Sequence, residues 1–115
     1  MTKVFIPNRS GHDYSPAEKF GELVYVTEGH VRKSNVNQIY RQFARAMTGA
    51  GPNDYFILTS LGVLNAVGAA VLGRKTGRLN LLLFYDGKYI EKRLDLDALL
   101  TETLEEEDTI KDGPA

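Results

Sequence analysis

Tyr55-Phe56-Ile57-Leu58-Thr59-Ser60 decides how the rest of the chain is read. Four apolar residues in a row do not alternate, so the segment suits a strand covered on both faces, as in a parallel sheet. Two hydroxyls close it, and Thr59 or Ser60 would cap the helix that follows. That helix spans roughly residues 62–74, and Gly77 breaks it after the basic turn Arg74-Lys75. A buried strand feeding a helix is half of a βαβ unit, and residues 55–59 therefore read as the centre of the sheet.

Upstream the same pattern recurs twice. Lys3-Val4-Phe5-Ile6 is mostly apolar, and Pro7 closes the strand because it has no N–H for a ladder. Ser15-Pro16-Ala17-Glu18 then starts a helix, with Ser15 as cap, Pro16 at the first helical position and Glu18 completing a capping box. Gly21 keeps that helix short. Residues 22–27 form the second strand, and Asn35 begins the most regular helix. Val36, Ile39, Tyr40, Phe43, Ala44 and Met47 make one apolar stripe, with Arg41, Gln42 and Arg45 opposite. Gly49-Ala50-Gly51-Pro52 ends it.

Downstream, residues 79–84 give a fourth strand. Asp86-Gly87 is the strongest hairpin signal in the chain and favours a type I′ turn. Residues 88–94 return as an antiparallel strand whose charges suit an edge, and residues 95–100 add a helical turn. The order β-α-β-α-β-α-β-β predicts a small three-layer, Rossmann-like α/β domain. Its sheet is mostly parallel, with helices on both faces and a C-terminal antiparallel hairpin strand.

The chain of 115 residues is long enough for one cored domain, assigned to residues 1–101. With no cysteine, a disulfide framework and a thiolate zinc site are excluded. No apolar run is long enough to cross a bilayer and no signal peptide is visible, which predicts a cytoplasmic protein with no membrane partner. The net charge of −1 conceals an asymmetry. Residues 1–101 hold 13 Lys and Arg against 9 Asp and Glu, a net of +4; residues 102–115 hold 1 against 6, a net of −5. The tail is expected to be disordered. A body charge of +4 without interleaved aromatics disfavours nucleic acid as a partner.

Polar residues crowd after the strands, and in an open α/β sheet ligands bind outside the carboxyl ends of the strands. After the first strand come Asn8, Arg9, Ser10, His12, Asp13 and Tyr14, with Gly11 allowing a tight turn. Glu28, His30 and Arg32 follow the second, and Thr59 and Ser60 the third. No G-x-G-x-x-G or Walker pattern is present, so a dinucleotide fingerprint and a P-loop are excluded. His12, Asp13, Glu28 and His30 lack H-x-H and H-E-x-x-H spacing, so neither a metal nor a cofactor is expected. Leu58-Thr59-Ser60-Leu61-Gly62 is not G-x-S-x-G, which argues against a serine hydrolase.

These residues predict a protein that binds a nucleotide or other phosphorylated small molecule at the C-terminal edge of the sheet, as a sensor or sequestering protein. Arg9, Ser10, Arg32, Thr59 and Ser60 would hold the anionic part, Glu28 would meet sugar hydroxyls, and Tyr14 would stack on a base. One alternative is a small hydrolase or transferase acting on a glycosidic or phosphoester bond of a nucleotide. There Glu28 would be nucleophile or base and His12 or His30 the acid. Another is a viral or mobile-element accessory protein that binds a partner protein. The helix at residues 62–74 is apolar nearly all round, which predicts a helix-to-helix homodimer.

Overall fold

A computed structural model describes residues 1–98. The last two residues of the turn expected over 95–100 and the acidic tail therefore lie outside the described residues. The elements are β1 (Lys3–Arg9), a 3-10 helix (Ser15–Phe20), β2 (Glu22–Glu28), α1 (Val36–Ala46), β3 (Tyr55–Ile57), α2 (Gly62–Thr76), β4 (Arg78–Tyr85) and β5 (Lys88–Asp95). They build one five-stranded mixed sheet in the order β2-β1-β3-β4-β5. The first four of these run parallel. β5 returns antiparallel to β4, from Tyr85 opposite Lys88 to Arg78 opposite Asp95. The α/β class and the mixed sheet agree with the sequence. Among the described residues, no helix is long and apolar enough to cross a membrane.

The unalternating strands are covered on both faces, as their composition requires. Phe5 and Phe56 point to one side, where they meet Ile39 and Phe43 from α1, Met47 at its C-cap, and Leu64 and Leu72 from α2. Val4, Ile6, Tyr55 and Ile57 point to the other, where they meet Tyr14, Ala17, Leu82 and Tyr89. The layers are unequal. Both α-helices sit on the Phe5–Phe56 face, and among the described residues the opposite face carries only the 3-10 helix.

That short helix corrects the sequence reading. Ser15 does not cap it: Tyr14 holds the N-cap position without a side-chain bond, and Asp13 Oδ1 accepts the Ser15 N–H at 2.9 Å. Six residues before Gly21 are too few for an α-helix to propagate, and 3-10 geometry is used in such short pieces. Gly21 is fixed by space, since a Cβ there would stand 2.5 Å from the Thr2 carbonyl oxygen.

The stripe on α1 also divides. Asn35 caps the helix, its Oδ1 accepting the Gln38 N–H, and Ile39, Phe43 and Met47 are buried. Val36 and Tyr40 are about half exposed, because α2 contacts only one flank of the stripe. In the hairpin, Asp86 and Gly87 both have positive φ, 52° and 82°, as a type I′ turn needs.

Candidate functional site

Because four strands are parallel, their carboxyl ends share one rim. The segments after β1, β2 and β3 all leave the sheet there, but they line two depressions rather than one. The first encloses about 400 Å³ and is lined by Asn8, Ser10, His12 and Tyr14 together with Leu58, Thr59, Ser60, Leu61, Phe84 and Tyr89. The second, about 310 Å³, lies against the start of α1 and includes Thr27, Glu28, His30, Arg32, Asn35, Gln38 and Gln42. So the first and third segments converge, and the second turns to the α1 side.

Arg9 and Asp13 line neither depression. Arg9 Nη1 stands 3.6 Å from Glu28 Oε1, and its guanidinium lies 4.5 Å from the Tyr25 ring centroid. Both charged side chains are largely exposed, so this pair contributes little to stability. The Ser15 backbone N–H holds the Asp13 carboxyl below the ordinary aspartate range, which fits its role in starting the 3-10 helix.

The walls of the first cavity are fixed by buried and partly buried hydrogen bonds. Asn8 donates from Nδ2 to the Gly29 carbonyl at 2.9 Å and accepts the Thr27 hydroxyl at 2.8 Å, which ties the first loop to the second. Thr59 is gripped by Asn65 from one turn into α2. Asn65 Nδ2 donates to the Thr59 carbonyl at 2.7 Å, and its Oδ1 accepts the Thr59 N–H at 3.2 Å. Thr59 Oγ1 in turn accepts the Leu61 N–H at 3.1 Å. The N-cap of α2 is Leu61, with no side-chain cap. Ser60 is therefore not the cap, and no side chain caps the first-turn amides of α2.

Aromatic rings make the opposite wall. His12 meets Tyr14 edge-on at 4.6 Å and Phe84 at 6.5 Å, and Phe84 meets Tyr89 at 5.2 Å. Phe84 is half exposed, an open apolar plate. Tyr14 and Tyr89 are buried, yet their hydroxyls make no hydrogen bond among the described residues. Burial pushes the pKa of both up, helped by Tyr25 at Tyr14 and by Tyr14 and Asp13 at Tyr89. Burial also raises Tyr55. Phe84 and Tyr89 were missed in the sequence because they read as strand residues. A signal was present: the Asp86-Gly87 hairpin makes Phe84 and Tyr89 a cross-strand pair at the rim.

The raised tyrosines give a pH test. A group whose folded pKa lies above its unfolded value of about 10 contributes stability that is complete below pH 10 and lost as pH rises through the folded pKa. Ultraviolet titration should therefore show part of the phenolate signal delayed beyond the free-tyrosine range, with unfolding free energy falling over the same interval. Replacing both Tyr14 and Tyr89 with Phe should remove most of the delay. One titration step at the free-tyrosine value would contradict the burial.

Among the described residues, no group of three or more His, Cys, Asp or Glu side chains comes together to hold a metal ion. Neither histidine side chain is hydrogen-bonded to a hydroxyl or carboxylate among them. The cavity presents aromatic rings on one side and hydroxyl-bearing residues on the other. A family model described as Phage Pam3 gp32-like protein matches residues 2–96 of the chain. No curated protein and no solved structure matches it.

Proposed function

The chain belongs to the phage Pam3 gp32-like protein family, and from that starting point we propose that it holds a nucleotide or other phosphorylated small molecule in the rim cavity. One observation carries this reading: an aromatic wall faces an uncapped helix start across about 400 Å³, within the usual range of small-ligand sites. A base would stack on Phe84, with His12 and Tyr14 behind it. Phosphate oxygens would meet Ser10, Thr59, Ser60 and the first amides of α2. This is a Rossmann-like use of the sheet edge. Sensing or sequestering is favoured over turnover because, among the described residues, no hydroxyl lining the cavity is hydrogen-bonded to an imidazole or a carboxylate. Glu28, His30 and Arg32 then serve the neighbouring depression and not the sugar.

Thermal shift against nucleotides and sugar phosphates tests the proposal. Ligand at about 100 times its Kd stabilises by roughly 2.7 kcal/mol, a rise of roughly 10 °C for a domain of this size. Phe84→Ala should leave the unliganded melting temperature nearly unchanged and abolish the rise. No rise with any compound refutes the reading.

A second reading has its own observation. Val36, Tyr40, Ala44, Val67, Ala70 and Val71 line a groove of about 630 Å³ between α1 and α2, with Arg74 and Lys75 beside it. An exposed apolar groove of this kind marks a contact surface. A second copy seated there would form the helix-to-helix homodimer. Tyr40→Glu places a charge in the groove without touching buried Ile39 or Phe43, and sedimentation should then report a monomer where the parent is a dimer. A monomeric parent, or a dimer indifferent to the change, removes this reading.

A further inference from the structure

No side chain lining the rim cavity carries a fixed positive charge. Sites for di- and triphosphates rely on Arg, Lys or a bound cation to balance them. Here Arg9 is turned to Glu28 and Tyr25, and Arg32 lines the other depression. A fixed negative charge stands nearby: the Asp13 carboxylate is close enough to act on both His12 and Tyr89. The uncapped α2 start supplies roughly half a positive charge, which suits one phosphate and no more.

The cavity also holds two spare polar groups. Tyr14 is 8% exposed and Tyr89 is 6% exposed, and both line the cavity. Neither hydroxyl has a hydrogen-bond partner among the described residues, and neither is sealed from solvent, so each can be met by a ligand. A phenol both donates and accepts, so it matches the carbonyls and ring nitrogens of a base, not a chain of phosphates.

We propose that the cavity takes a nucleoside or a nucleoside monophosphate and rejects the corresponding di- and triphosphates. Tyr14 and Tyr89 bond the base edge, Phe84 stacks on its face, and a single phosphate reaches Ser10, Thr59 and the start of α2. This rests on the nucleotide reading of the same cavity.

Calorimetric titration of the full chain decides it, using the nucleoside, mono-, di- and triphosphate of adenine, guanine, cytosine and uracil. For at least one base, nucleoside and monophosphate should bind at least 10-fold more tightly than the triphosphate, a gap of about 1.4 kcal/mol or more. A triphosphate that binds as tightly as its monophosphate overturns this proposal and leaves the nucleotide reading standing. Binding of sugar phosphates alone overturns it too. Silence from every compound overturns both. Tyr89→Phe keeps the ring that packs on Phe84 and removes only the hydroxyl; it should weaken monophosphate binding about 10-fold. Unchanged affinity in that variant, with binding still lost in Phe84→Ala, overturns the assignment of the hydroxyl to the base edge.

Discussion

Gly68→Ala is expected to destabilise the protein by about 2 kcal/mol, although alanine is the better helix former. A Cβ at Gly68 would stand 2.5 Å from two ring carbons of Phe56 and 2.6 Å from one of Phe43. Both rings are fully buried and lie 6.2 Å apart between the sheet and the two helices, so neither can swing aside. Overpacking a filled core costs about 1–3 kcal/mol and sometimes more, whereas the gain in helix propensity is about 1 kcal/mol. Since no real Cβ tolerates 2.5 Å, the penalty sits at the upper end and wins. Urea denaturation should show a lower midpoint with an unchanged slope. Phe56→Leu in the same chain should return part of the loss, because the two changes share one space. Stability equal to the parent would mean that α2 does not approach the sheet this closely.

The other glycines of α2 should behave differently. A Cβ at Gly62 meets nothing within 4 Å, and one at Gly73 meets only Leu96 Cδ1, the far end of a flexible side chain, at 2.9 Å. Alanine should be close to neutral at both. This contrast marks the limit of the sequence. Spacing placed the helix, and the abundance of small residues announced a close approach, but the three glycines look alike until Phe43 and Phe56 are in position.

The same limit applies elsewhere. The succession of elements along the chain was legible because each strand had its own flanks, and Asp86-Gly87 named its turn. Parallel strands put residues 8–14, 27–33 and 59–60 on one rim, as expected. The side of the sheet on which each segment falls was not legible, because period-2 alternation ends where the strand ends. Tyr14 folds back over Ile6 and Tyr25 on the 3-10 face, while His30 and Arg32 lead into α1. Arg9 and Glu28, read as two ligand residues, sit opposite each other in register and pair. Asp54 and Asn80 drew no notice at all, since a lone polar residue beside a strand looks like a surface residue.

Asp54→Ala is expected to cost about 3 kcal/mol, and to do so without weakening the rim cavity. Asp54 is buried at the amino end of the sheet, opposite the cavity. Its Oδ1 accepts the Lys3 N–H at 2.9 Å and its Oδ2 accepts the Gly51 N–H at 2.8 Å. Its carbonyl accepts Asn80 Nδ2 at 3.0 Å, and the same nitrogen donates to the Pro52 carbonyl at 2.8 Å. One residue thus ties the start of β1, the turn before β3, and β4. Hydrogen bonds to a charged group contribute about 1.5–3 kcal/mol each, and the orphaned amides add to the loss. Lys3 and Gly51 are only partly buried, so water recovers some of it, which brings the expected cost to the lower end of that sum. Asp54→Asn keeps one acceptor oxygen and sets an amino group against the other N–H, so it should recover at most one of the two bonds. Thermal and urea unfolding of the three proteins would show the order. An Asp54→Ala protein as stable as its parent would mean that these bonds add nothing over hydration. Measured where both variants remain folded, Asp54→Ala should retain ligand affinity and Phe84→Ala should lose it, although Phe84→Ala is the more stable of the two. That crossing separates what holds the sheet at one end from what the rim does at the other.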